Sequence, residues 1–424
     1  MADQATNRSR KSTLSFAPLG HTVFGGFFYA RWVVRNLFLK DNFLYRGKSS
    51  RFVNRRQYPG FDFSATTLFF KIMNKTQITT LSGYGVIHGI VDLCCVAVVF
   101  STLLLHGFET NAFFILVVTY NVLAFGLQAP LGALVDGFQV PKESALVGCL
   151  LVMSSFFLPE VPALVVILAG MGNAFFHVGG GSISLSFNPQ KATAPGVFVA
   201  PGALGLTIGI LIGQSGSFVA WPFVLLLAAS CGFIIFSKIP EFNYQKLSIK
   251  PKINYFEFIV LLLLLSVSIR ALYGATAVFE WKSNIHLLFA LTMAITGGKA
   301  LGGFLADQFG WIKTAIFALL ISAPLLAFFQ HSPFLVIIGA FLFQMTMPIT
   351  LTLLSNMLPN KPATAFGLAS FALLLGVIPA YVGMKAFFDN HWITFGVILI
   401  SASSLLVSFK LLYRYFKTQL QIHL

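Results

Sequence analysis

The chain has 424 residues, of which 57% are hydrophobic and only 10% charged, and its mean hydropathy is +0.82. A soluble domain carries about a quarter charged residues, so these values exclude a water-soluble globular fold and place most of the chain in lipid. The net charge of +15 does not point to nucleic acid, because it gathers in an N-terminal stretch and in short loops on one side, the positive-inside bias of membrane proteins.

Residues 1–78 hold 13 Lys and Arg against three acids. They are basic and aromatic, and basic segments beside a membrane attract anionic lipid. Phe24 to Leu39, with Arg31 and Arg35, reads as an interfacial amphipathic helix. Met73 stands just before the first apolar run and reads as an alternative start, which makes residues 1–72 an extension; a lipid-binding or regulatory tail is the rival reading.

From residue 79 the apolar runs approach the ~20 residues that cross a hydrocarbon core. They predict spans at 79–104, 112–134, 143–158, 162–187, 193–217 and 219–237. A polar segment, 238–255, follows, and then spans at 256–280, 284–306, 313–329, 333–357, 363–386 and 392–413. The expected organisation is a six-helix bundle over 79–237, a linker at 238–255, a second bundle over 256–413 and a tail at 414–424. Eleven Lys and Arg fall in loops and the tail on the side where residue 79 begins, against Lys282 and Lys385 opposite. That side is therefore read as cytoplasmic.

In the first span His88 and Asp92 are four residues apart and share a helix face with Tyr84 and Cys95. Ionisable groups inside a span are costly and mark pathways, and a carboxylate beside a histidine can exchange a proton near neutral pH. This pair reads as a proton-coupling or substrate site; the plainer reading is a hydrogen bond pinning the helix to a neighbour. The second span carries Gln128, Pro130 and Gly132, and the loop after it carries Asp136 and Lys142. Gly132, Asp136 and Lys142 recur 171 residues later as Gly303, Asp307 and Lys313, with the offsets of 4 and 10 kept. Lys191-Ala192-Thr193-Ala194 with Gly196 likewise matches Lys361 and Ala363-Thr364-Ala365 with Gly367. Two matches in nearly one register mean a duplicated bundle. A glycine one turn before the acid lets helices approach closely. The acid can pair with loop cations or a helix N-terminus, holding one conformation closed.

The fourth span contributes Asn173, which the 171 shift aligns with Gln344, and His177 beside Gly179-Gly180-Gly181. Three glycines permit either an unwound turn facing a ligand or close helix packing. Cys94, Cys95, Cys149 and Cys231 lie in apolar runs and read as packing residues. In the seventh span Arg270 is too deep to snorkel and needs Asp92 or an anionic substrate as its partner. Tyr273 lies one turn beyond it and, with Tyr84, Gln128, Asn173 and Gln344, is expected to line a central cavity as a polar residue, and Glu280 reads as a rim residue. Lys299 is placed either to snorkel or to line a cavity. Pro348 and Pro379 predict kinks.

The paired loops resemble the cytoplasmic loop motif of the major facilitator superfamily, and the resemblance covers residues 79–413. Gln139, in place of the later glycine, and Pro141 set the first copy apart. His88-x-x-x-Asp92, Gln128 with Pro130 and Gly132, and Gly170-x-Gly172 before Phe176-His177 resemble the fosmidomycin-resistance type of efflux protein. Pro201-Gly202 through Gly205, Gly209 and Gly213 resembles the glycine-rich antiporter motif. The resemblance implies an all-α membrane protein, with twelve transmembrane helices in two pseudo-symmetric six-helix bundles that move by alternating access. The expected function is secondary active transport, as proton-coupled export of a small organic solute. In that scheme protonation of Asp92 weakens its attraction to Arg270 and releases substrate. Proton-coupled uptake of a small organic anion held by Arg270, or a non-transporting membrane sensor, are the alternatives. No nucleophile–base pair, Walker loop or metal motif stands out, so no enzyme activity, cofactor or metal is expected. The expected partners are the solute, protons and the bilayer, with no nucleic acid. The expected state is a monomer in a bacterial cytoplasmic (inner) membrane with both termini cytoplasmic.

Overall fold

The computed structural model of the chain describes residues 74–240 and 255–422. The readings of residues 1–73 and of most of the 238–255 segment lie outside the described residues. Among those described, all regular structure is helical. We label the long helices α1 (Lys75–Leu105), α2 (Thr110–Phe138), α3 (Pro141–Ser155), α4 (Pro162–Phe187), α5 (Thr193–Gly213) and α6 (Trp221–Phe236). They continue as α7 (Phe256–Thr276), α8 (Ile285–Phe309), α9 (Trp311–Phe328), α10 (Pro333–Met357), α11 (Pro362–Tyr381) and α12 (His391–Ile422). By length and composition ten of them can cross a membrane, so the chain is a multi-pass integral membrane protein. The other two, α3 and α6, have 15 and 16 residues and fall short of the ~20-residue span.

Local sequence sets the ends and breaks of these helices. The α1 start is a reciprocal capping box: the Gln77 N–H donates to Asn74 Oδ1 at 2.8 Å, and the Asn74 N–H to Gln77 Oε1 at 3.1 Å. Prolines at the first position open α3, α4, α10 and α11, where the missing N–H costs nothing. Farther into a helix, proline breaks the ladder. Pro130 has no N–H for the Gly126 carbonyl and crowds it, and α2 slips there into a π turn over Val122–Gly126. Pro348 stands four residues after Gln344, and α10 is interrupted at Met345 between them. Pro379 lies near the end of α11 without interrupting it.

The glycine runs serve packing. A methyl at Gly205 would fall 1.9 Å from the Gly89 carbonyl oxygen, and one at Gly209 would fall 2.4 Å from that of Leu93, so α1 and α5 meet backbone to backbone. Gly179, Gly180 and Gly181 do not unwind: α4 is helical through all three. A methyl at Gly179 would strike the Pro141 carbonyl, and one at Gly181 the Phe366 ring. Helix α5 packs on α8, and α11 on the second part of α2; in the 171-residue register these two contacts are equivalent.

Candidate functional site

Helices α1 and α4 bring His88, Asp92 and His177 together. His88 Nε2 lies 3.2 Å from Asp92 Oδ2, and His177 Nε2 lies 3.4 Å from Asp92 Oδ1. The two Nε2 atoms are 2.9 Å apart. Each ring is fixed from behind: His88 Nδ1 meets the Phe198 carbonyl at 2.7 Å and His177 Nδ1 the Asn173 carbonyl at 2.8 Å. A carbonyl only accepts, so both Nδ1 atoms carry hydrogen. Both Nε2 lone pairs then point at one another and at a carboxylate. Three acceptors so placed repel unless a cation sits among them, and the smallest such cation is a shared proton. The Asn173 amide donates to Asp92 Oδ1 at 3.0 Å. Phe198 stacks on His88 with centroids 4.7 Å apart.

This cluster forms one wall of a cavity of about 160 Å³. Arg270, Lys299, Gln344 and Ser370 line it from the second copy of the repeat, and Val99, Tyr120, Phe125 and Phe366 add apolar surface. It is smaller than the ~300–1,000 Å³ of drug-sized pockets, so it suits a small solute. The lining runs toward Phe114, Tyr381 and Lys385, at the membrane end where α1 and α11 finish.

Arg270 is not paired with Asp92. Its Nη1 donates to the hydroxyls of Thr346 and Thr350, 3.0 Å away in each case, beside the break in α10. Those hydroxyls donate in turn to the backbone of their own helix, which leaves lone pairs for the guanidinium. Arg270 Nη2 has no hydrogen-bond partner though it is buried. Lys299 lines the same cavity. The 171-residue shift aligns it with Gln128.

At the other membrane end lie two crossed latches. Asp136, on α2, accepts from the N–H groups of Ala363 and Thr364 at 3.1 and 2.7 Å and from the Thr364 hydroxyl at 2.7 Å. It therefore caps the start of α11 in the other copy of the repeat. Asp307, on α8, accepts from the N–H groups of Ala192 and Thr193, both at 2.9 Å, and from the Thr193 hydroxyl at 2.5 Å. That caps α5, and Trp311 adds an indole donor at 2.9 Å. The glycines are necessary: a methyl at Gly132 would lie 2.4 Å from the Ala363 carbonyl, and one at Gly303 would lie 2.3 Å from that of Ala192. The two repeated motifs found in the sequence are thus each other's partners.

Several expected residues lie elsewhere. Lys142 donates to the carbonyls of Ile235 and Ser237 at 2.9 Å, so it caps the C-terminal end of α6, and Lys313 is exposed; neither belongs to a latch. Tyr84 is fully buried against Phe233 and Ser237. Tyr273 donates to the Leu326 carbonyl at 3.3 Å. The Gln128 amide turns back to the Ala124 carbonyl at 2.6 Å. None of these three lines the cavity. Tyr120, Asn121 and Tyr381 do, and sequence reasoning passed over them because a lone polar residue in an apolar span carries little signal.

This arrangement of helices is similar to that of solved major facilitator superfamily transporters. No family model and no curated protein matches the chain, so the likeness is to solved structures. One is the Escherichia coli fucose:proton symporter FucP in a single-residue variant, at a TM-score of 0.54 and 13% identity, covering 80% of this chain and 99% of that one. FucP in an outward conformation aligns at 0.52 and 13%, covering 78% and 99%. The human organic anion transporter MFSD10 (TETRAN) aligns at 0.54 and 14%, covering 76% and 99%.

Proposed function

We propose that the protein is a proton-coupled secondary transporter of the major facilitator superfamily that exports a small organic solute by alternating access. The observation that carries this reading is the convergence of His88 Nε2, His177 Nε2 and the Asp92 carboxylate on one buried point at a cavity wall. That convergence suits a bound cation, and Lys299 lines the same cavity. A proton entering the cluster partly neutralises Asp92 and weakens the hold on Lys299. The cavity polarity then shifts between two states, which is what coupling requires.

In this reading the chain spans the membrane twelve times as two six-helix bundles, 79–237 and 256–413, with α3 and α6 as short spans. The latch end is cytoplasmic, both termini are cytoplasmic, and the membrane is a bacterial inner membrane. The conformation described is then closed to the cytoplasm. The protein works as a monomer, of the fosmidomycin-resistance type. A second reading, uptake of a small organic anion, is favoured by the unpartnered Arg270 Nη2 beside Lys299. It draws support from neighbours named as a proton symporter and an organic anion transporter.

Purified protein in liposomes should move solute, found by screening toxic compounds and metabolites, at a rate set by an imposed pH gradient. Asp92→Asn should lose that dependence. Flux indifferent to the gradient, or a gradient dependence that survives Asp92→Asn, would refute proton coupling through this cluster. Arg270→Gln separates the two readings: it should abolish anion transport but spare export of a neutral solute.

A further inference from the structure

The cation that the cluster calls for need not be a proton. His88, Asp92 and His177 each offer one ligand atom, and these atoms lie within 4.8 Å of one another. A zinc-type ion sits about 2.0–2.1 Å from imidazole nitrogen and carboxylate oxygen, so tetrahedral ligand atoms stand roughly 3.3 Å apart. Here the two Nε2 atoms are 2.9 Å apart, and each lies near its own oxygen of the carboxylate, His88 Nε2 3.2 Å from Asp92 Oδ2 and His177 Nε2 3.4 Å from Asp92 Oδ1. Both imidazoles are already in the tautomer that a metal needs, with Nδ1–H given to a backbone carbonyl and Nε2 turned inward. Such outer hydrogen bonds orient metal-binding histidines. Asn173 holds the Asp92 carboxylate in the same way. Room beside the ligands is kept by Gly202 on α5, where a methyl would lie 2.6 Å from both Asp92 Oδ2 and His88 Nε2. Two imidazoles and one carboxylate favour zinc, cobalt or nickel over magnesium or calcium, which prefer all-oxygen shells.

We infer that this cluster binds one divalent transition-metal ion of the zinc class, held by His88 Nε2, His177 Nε2 and Asp92, with its remaining position open to the cavity. The inference rests on reading the cluster as the transporter's cation site, and it makes metal and proton alternative occupants. Spacing in the sequence did not show it, because the histidines lie 89 residues apart on different helices.

The test uses full-length protein in detergent, stripped with a chelator and titrated with Zn2+ and Co2+ at fixed pH. One ion per chain should bind, undisplaced by excess Mg2+. His88→Gln and His177→Gln should each weaken binding beyond the ~10–100-fold typical of losing an outer-shell partner. Gly202→Ala should weaken it while removing no ligand, and His286→Gln, at an exposed site, should leave it unchanged. Zinc-edge X-ray absorption on the wild type should count two imidazoles, and that readout holds even if a variant fails to fold. The proposal is overturned by non-stoichiometric binding, by binding that survives both histidine changes, or by fewer than two imidazoles at the edge. Zinc binding without pH-driven flux would sink the proton reading and leave this one standing; pH-driven flux without zinc binding would do the reverse.

Discussion

Gln139 and Gly310 occupy the same place in the repeat, and both have positive φ, 59° and 98°. The turn that leaves each latch helix needs a conformation that glycine adopts freely and other residues resist. Gln139 adopts the left-handed region that a polar residue can reach, with ψ 41°. Gly310, at ψ 135°, lies outside it. Gly310→Gln should therefore cost about 1–3 kcal/mol of stability, while Gln139→Gly should cost nothing. Thermal unfolding midpoints in detergent check both, and equal effects would contradict this account of the turn. Residue by residue, the sequence was most legible where chemistry is rare. His88 and Asp92 stood out because two ionisable groups one turn apart in an apolar span cost too much to be incidental. The partner of Arg270 was not legible: sequence shows which cations are deep, but not that Thr346 and Thr350 already satisfy one of them. Tyr84, Tyr273 and Gln128 were misplaced for the same reason, since a backbone carbonyl within reach is invisible in the sequence.

At the scale of the element, the crossed latches join α2 to α11 and α8 to α5. Each aspartate gathers backbone N–H groups at a helix start, where the dipole favours negative charge, and each bond to an ionised group contributes roughly 1.5–3 kcal/mol. Asp136→Asn should speed hydrogen exchange at Ala363 and Thr364, and Asp307→Asn should do so at Ala192 and Thr193. Faster exchange confined to the mutated residue's own helix would contradict the crossing. The helix boundaries themselves were largely readable: α4 and α10 begin and end where the apolar runs placed them. The π turn in α2 was not foreseen, because Pro130 was read as motif and not as a missing donor. The three glycines of α4 looked able to unwind, but Pro141 and Phe366 press against them and the helix stays whole.

For the whole molecule, the two latches close one end while the cavity extends toward the other. If the two copies of the repeat rock against each other, distances at the two ends must change in opposite senses. The duplication carried this much of the architecture in the sequence: one 171-residue shift pairs α2 with α8 and α5 with α11. It could not say which state the bundle rests in, since that depends on contacts between the copies. Spin labels in a cysteine-free background, at Glu143→Cys with Lys313→Cys on the latch end and at Glu160→Cys with His331→Cys on the other, read this motion by double electron–electron resonance. The account predicts that Asp136→Asn with Asp307→Asn lengthens the first distance and shortens the second; two distances that stay fixed, or that move in the same direction, would contradict it.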